Sequence, residues 1–365
     1  VSSVLVSHVE RAVEVAFPSA WAEPWDAVGL RVGDPKAAVT GVLVTLDATR
    51  EALDTAAACG ANLVATHHPP SISEHATFTS GSSADVMFVA ASTGIAIVSA
   101  HTNLDRSPRG AGVLLEALGY GEGRPLERSE APMALVTVFA PEQAADRIRA
   151  EMAAAGAGRI GQYEACSFTG TGLGRFRPLE NSTPFAKGGD AAGAPEERIE
   201  MVCPSARRGA VAAAARAAHP YEEPLIVVSE ITMSRGAARL GRIAELAEPT
   251  LVGELATHVA EVLACTPRVW GEPDREVAKV ATATGSGSSL LPDAITSGAN
   301  AIVLGEVRYH DALEATASGL AVIEAGHDVT EWPLVPVLAE AILATPGLDG
   351  SVVHVDEPRR GWWTP

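Results

Sequence analysis

Cysteine is scarce and scattered: Cys59, Cys166, Cys203 and Cys265 are the only four in 365 residues, and none forms a CxxC pair. This excludes a zinc ribbon or a dithiol redox motif and fits free thiols in a reducing cytoplasm. Basic residues are also short, with 27 Lys and Arg against 45 Asp and Glu, for a net charge of −18. A chain so acidic lacks the cationic surface that nucleic acid or an anionic membrane requires as a general partner. No run of 18 apolar residues is present, so no membrane-spanning helix is expected. The opening VSSVLVSHVERAVEVAFP lacks the basic flank and apolar block of a signal peptide. The expected location is the cytoplasm.

What is present is apolar residue, 47% of the chain, enough for two or three cored domains. In the first third, GVLVTLD (41–47), ANLVATHH (61–68) and IAIVSAHTNLD (95–105) read as short buried strands. Helical segments such as TREALDTAAACG (49–60) and VMFVAASTG (86–94) separate them. This alternation predicts an α/β layer with a mostly parallel sheet, whose strand ends are the usual site positions. The texture changes over 128–232. ALVTVFA, PEQAADRIRAEMAAAGAG, YEACSFTGTGLGRFRP, ERIEMVCP, ARRGAVAAAARAAHP and PLIVVSEI give a β-α-β-β-α-β order, the ferredoxin-like plan. The segment 181–196 is expected to be a polar, mobile loop. From 233 the first texture returns, so the fold class is an α/β body, 1–127 and 233–365, interrupted by an α+β domain.

The polar residues of interest stand at strand ends. NLVATHHPP puts His67 and His68 after a buried run, and SAHTNLD puts His101 and Asp105 after the next. EAGHDVTEWP carries His327 and Glu331 at i, i+4, which a helical turn places on one face. Three His, one Asp and one Glu can hold two divalent ions if a carboxylate bridges. The competing reading is structural: helix caps and hydrogen-bonded turns. LGEVRYHDAL adds Glu306, in the pocket or orienting a ligand histidine. ATGSGSS (283–289) is a small-residue loop that can offer backbone N–H groups to an oxyanion, but it has no P-loop pattern. GTGLG (170–174) lacks the strand–turn–helix setting of a dinucleotide loop.

Five stretches together resemble the NIF3-like family, whose members are also named type 2 homologues of GTP cyclohydrolase I. They are WDAVGLRVGDP (25–35), LDATREALDTAAACGANLVATHHP (46–69), AHTNLD (100–105), GEVRYHDALEA (305–315) and AGHDVTEWP (325–333). The resemblance implies two metal ions per chain, held by His67, His68, Asp105, His327 and Glu331. Zn leads as the metal, with Fe, Mn or Co as alternatives. It also implies a homohexameric ring and an inserted domain similar to PII or CutA proteins, here on 158–178 and 218–228. Ala27 stands where the family usually has Asn, and Glu306 where it usually has Asp.

The expected chemistry is hydrolysis of a nucleotide-like or phosphorylated small molecule, with His101 or Glu306 as general acid or base. The alternative is a non-enzymatic, metal-binding or regulatory hexamer whose insert senses a ligand.

Overall fold

Short apolar runs, each closed by a polar residue or glycine, set the architecture. The structure is a computed structural model that describes residues 4–358 except 24, 74–77, 83, 162, 178–191 and 235. In chain order the elements begin with α1 (Val6–Ala16), β1 (Gly29–Val32), β2 (Val42–Thr45), α2 (Arg50–Ala58) and β3 (Leu63–Thr66). Next come α3 (Asp85–Thr93), β4 (Ala96–Ser99), α4 (Thr102–Asp105), α5 (Pro108–Ala117) and β5 (Arg124–Pro125). Then follow β6 (Glu130–Pro141), α6 (Glu142–Ala154), β7 (Phe168–Phe176), β8 (Ala192–Pro204), α7 (Arg208–Ala218) and β9 (Ile226–Ser234). β10 (Arg242–Leu251), α8 (Val252–Val262), β11 (Arg268–Trp270), β12 (Glu276–Thr282), α9 (Leu291–Thr296) and β13 (Ala301–Leu304) come after them. The last are α10 (Tyr309–Ala317), β14 (Ala321–Glu324), α11 (His327–Glu331), α12 (Leu334–Leu343) and β15 (Val353–Val355). They fall into two compact units, Val1–Arg128 with Gly236–Pro365, and Ser129–Arg235.

The first unit holds two sheets, of order β1-β4-β3-β2-β15 and β11-β14-β13-β12-β10-β5. β15, β2, β3 and β4 run parallel, as do β12, β13 and β14, while β1, β10 and β11 join these sets antiparallel. VLVT, LVAT, AIVS and AIVL are buried throughout, as strands covered on both faces must be. Helix α1 covers one side with Val6, Val9 and Val13, a spacing that keeps all three on one face. Parallel pairing has a consequence for the site. β2, β3, β4, β13 and β14 end one to three residues before Asp47, His67, His101, Glu306 and His327, and their C-terminal ends are where polar side chains converge.

The second unit is a four-stranded antiparallel sheet of order β7-β8-β6-β9, with α6 and α7 packed on it. Ala134, Val136, Val138 and Ala140 alternate inward along β6 and meet Ile148 and Met152 of α6. Of the loop expected at 181–196, residues 181–191 lie outside the described residues. Residues 192–196 belong to β8, which starts earlier than the local Gly and Pro suggest. Pro195 is accommodated because β8 meets β6 only from Glu196 onward, so its missing N–H leaves no gap in that ladder.

Several strands have no clear local signal. β1 and β15 are edge strands of four and three residues. β10 is disguised by a register break between Glu245 and Thr250. TEWPLVPVLAEAILA (330–344), whose apolar spacing predicts one helix, is shared between two, α11 and α12, divided at Trp332–Pro333. No disulfide joins any of the four cysteines. Among the described residues no helix is long and apolar enough to cross a membrane.

Candidate metal centre

His67 and His68 continue the β3 ladder for two residues, donating their backbone N–H groups to Thr45 and Leu46. Extended neighbours leave the chain on opposite sides, and the two rings diverge at 45° with centroids 4.9 Å apart. Both nevertheless reach Glu331. His67 Nε2 lies 3.7 Å from Oε1, and His68 Nε2 lies 2.9 Å from Oε2. One carboxylate therefore spans the pair. His327, four residues earlier on α11, brings its Nε2 to 3.1 Å from the same Oε1. Asp105, at the end of α4, stands 3.7 Å from His67 Nε2 and accepts a hydrogen bond from Thr284 Oγ1 at 2.8 Å.

Every histidine here is anchored at the back. Nδ1 of His67 donates to the Ala100 carbonyl at 2.9 Å. Nδ1 of His68, His101 and His327 faces Asp47, Asp26 and Glu306 at 2.7, 2.8 and 2.7 Å. An acceptor on Nδ1 puts that ring proton on Nδ1 and turns a basic Nε2 toward the centre, the arrangement that metal-ligating histidines use. Ligand-type atoms gather as three overlapping trios: His67, His68 and His101; His68, His327 and Glu331; and His67, Asp105 and Glu331. Within each trio they lie within 4.8 Å of one another.

Two features show that the residues fit cations. His67 is fully buried, and its Nε2 has no hydrogen-bond partner among the described residues. Such an orphan is costly unless something not hydrogen-bonded to it fills the role. The carboxylates also pull positive charge inward. Burial works against charge on His67, yet Asp105 and Glu331 raise its pKa. At 3.7 Å neither oxygen is close enough to share a proton with that nitrogen.

The other titrations follow the same logic. Burial lowers the His68 pKa, but hydrogen bonds to Asp47 and Glu331 outweigh it and lift the ring to about 10. His327 rises to about 9, chiefly through its bond to Glu331 and against burial. Burial pushes Glu331 up, while His327, His67 and His68 together hold it well below the carboxylate range. Asp26, also opposed by burial, is held at about 2 by His101 and Thr102.

All five sequence-predicted ligands thus meet. His101 joins them, its ring centroid 5.2 Å from that of His67 and 5.5 Å from that of His68, so it stands among the donor atoms and not apart from them. Glu306 does not enter a trio. Its side chain is 55% exposed and touches the centre only through His327. The loop 283–289 has three of its N–H groups engaged. The N–H groups of Ala283, Gly285 and Gly287 already go to Val303 O, Thr330 Oγ1 and Glu306 O. Its small residues serve close approach. Gly285 has φ +56°, and a Cβ there would sit 2.0 Å from Glu331 Oε1. Asp26 and Asp47 escaped notice as site residues, although each stands inside a stretch that carries the family resemblance.

The profile of the Duf34/NIF3 (NGG1p interacting factor 3) family matches residues 4–356. A Mycobacterium tuberculosis protein named GTP cyclohydrolase 1 type 2 homolog is 33% identical over 352 residues, covering 93% of this chain and 92% of the relative. A Bacillus subtilis protein of the same name is 32% identical over 330 residues, covering 89% and 88%. Among solved structures, a Bacillus cereus protein related to NIF3 superposes with a TM-score of 0.63 at 30% identity, over 98% of each chain. A Staphylococcus aureus protein gives 0.66 at 23% identity over 100% of this chain and 99% of its own, a likeness of fold.

Proposed function

The chain belongs to the Duf34/NIF3 family, and from that premise we propose that it is a metal-dependent hydrolase with two divalent ions on His67, His68, Asp105, His327 and Glu331. The observation that carries this reading is the buried, unpartnered Nε2 of His67 between two carboxylates. Bound there, the ions would supply Lewis acidity and a water of lowered pKa, with Zn as the first choice and Fe, Mn or Co as alternatives. The protein's own part is to present the ligands in one protonation state. Ala100, Asp47, Asp26 and Glu306 fix the four rings, and Glu331 is held in common by the residues around it, within 3.7 Å of His67, His68 and His327.

His101 contributes a sixth donor on the His67–His68 side. There it is available as a ligand or as the group that takes a proton from substrate. Glu306 acts by positioning His327. The two sides of the centre differ in access: His67, Asp105 and Glu331 are buried, while the His68 and His327 side chains are 24% and 38% exposed. Substrate would approach on the open side. In keeping with the relatives' name, that substrate is a nucleotide-like or phosphorylated small molecule. The same premise gives a homohexamer, and a PII- or CutA-like role for the β-α-β-β-α-β unit. The second reading, a non-enzymatic metal-binding scaffold, draws support from the burial of the His67–Asp105–Glu331 trio, since closed sites are structural ones.

Elemental analysis of wild type and Glu331→Ala, followed by a screen of nucleotides and phosphoesters with the metal found, tests the reading. Two equivalents in wild type, a sharp fall in the variant, and turnover of one substrate class are expected. Metal without turnover supports the scaffold. No metal, even after Zn, Mn or Fe is added, overturns both.

A further inference from the structure

We propose that a cleft beside the metal centre, between α1 and α4, binds a small organic cation through an ammonium or guanidinium group. The cleft has a volume of about 320 Å³, at the lower end of the range for small-molecule sites and far larger than a bare ion needs. Helix α1 supplies one wall with Ser7, Glu10, Arg11 and Glu14, spaced i, i+3, i+4 and i+7 along one face. Ser99 and Asn103 supply part of the opposite side.

Its chemistry is that of acceptors. Asn103 is 2% exposed. Its Nδ2 donates to the Phe17 carbonyl at 2.6 Å, which fixes the amide orientation, and its Oδ1 has no partner among the described residues. An amide oxygen this buried is costly without a donor. Glu10 receives the backbone N–H of Leu30 at 3.0 Å, and Glu14 receives the Ser19 N–H on both oxygens at 3.0 Å and the Ser19 hydroxyl on Oε1 at 3.1 Å. Neither carboxylate has a basic side chain in ion-pairing range among the described residues. Both keep lone pairs and charge for a ligand. Ser99 Oγ is already paired with Thr66 Oγ1 at 2.8 Å. Two carboxylates and an orphan amide oxygen against one rim arginine favour a donor-rich cation over an anion or a neutral polyol. The site is separate from the metal cluster and shares no ligand with it.

The test titrates the full-length protein with 1,4-diaminobutane and methylguanidine, with 1,4-butanediol and succinate as size-matched controls, by calorimetry. Glu10→Gln and Glu14→Gln follow: at position 10 the amide oxygen still accepts the Leu30 N–H, and at position 14 it keeps one of the two contacts with the Ser19 N–H, while the charge is gone. Saturable binding of at least one cation, weakened about tenfold or more in either variant and absent for both controls, is expected. No saturable heat with either cation, or equal binding of the diol, or binding unchanged in both variants, overturns the proposal. A cleft filled by water alone would give the first of these outcomes.

Discussion

Asp26 holds His101 from 75 residues away, with Oδ1 2.8 Å from the ring Nδ1, while its Oδ2 receives the Thr102 N–H at 3.0 Å. The carboxylate thus orients one imidazole and secures the first turn of α4, whose last residue is Asp105. Asp26→Asn keeps an acceptor but loses the charge that favours Nδ1–H. Metal affinity should fall about 10- to 100-fold, and the metal-free protein should also lose stability at neutral pH, because a buried carboxyl held at about 2 by His101 and Thr102 stabilises the fold there. Competition with a chromogenic chelator measures this, and unchanged affinity would remove Asp26 from the site.

Gly285→Ala places a methyl group where Glu331 Oε1 now lies, in a backbone region that alanine resists. A cost of about 1–3 kcal/mol in unfolding free energy is expected. Metal retention should fall as well, because Glu331 has to yield. Denaturant unfolding with elemental analysis separates the two effects. A variant as stable as wild type and fully loaded would show that the loop moves freely.

Protons compete with metal at this centre. In the metal-free protein, His68 at about 10 and His327 at about 9 are raised above the ordinary value of 6.5, so both rings are charged near pH 7. Charged rings stabilise the fold fully below the unfolded value of 6.5, and that contribution is lost progressively as pH rises from there through the folded values of about 9 and 10. The thermal midpoint of metal-free protein should therefore decline across that window. Metal added near neutrality should release protons, and apparent affinity should climb as pH rises. Calorimetry in buffers of different ionisation enthalpy counts the protons; zero release would contradict the assignment.

Glu306→Ala should cost about tenfold in metal affinity, the low end for a residue orienting a ligand, because its carboxylate is half exposed and screened by water. Glu306→Gln, which keeps an acceptor for His327 Nδ1, should recover most of the loss. If Glu306 were the catalytic acid or base instead, Gln would restore metal binding and leave turnover abolished.

Much of the site was legible because the relevant signals are local. Apolar runs of four residues ending in a polar side chain mark parallel strands and their C-terminal ends, as with LVAT before His67 and AIVS before His101. The His327–Glu331 spacing announces a helical turn, and α11 is that turn. Local pattern is silent where pairing is long-range. β15 joins β2 across some three hundred residues of chain, and Asp26, Asp47 and Thr284 reach the cluster from elements whose sequences show no partner.

By itself, then, the sequence determined the alternation of buried strands and helices, the acidic charge, and the metal-capable residues at strand ends, from which the family resemblance picks five, since each depends on periodicity or on a residue type at a strand end. Only the tertiary structure decided which nitrogen each imidazole turns inward, that His101 stands among the other donor atoms, that Glu306 stays behind His327, and that Gly285 must be small. Those properties belong to contacts between distant segments, and sheet order, which no local stretch encodes, brings the segments together.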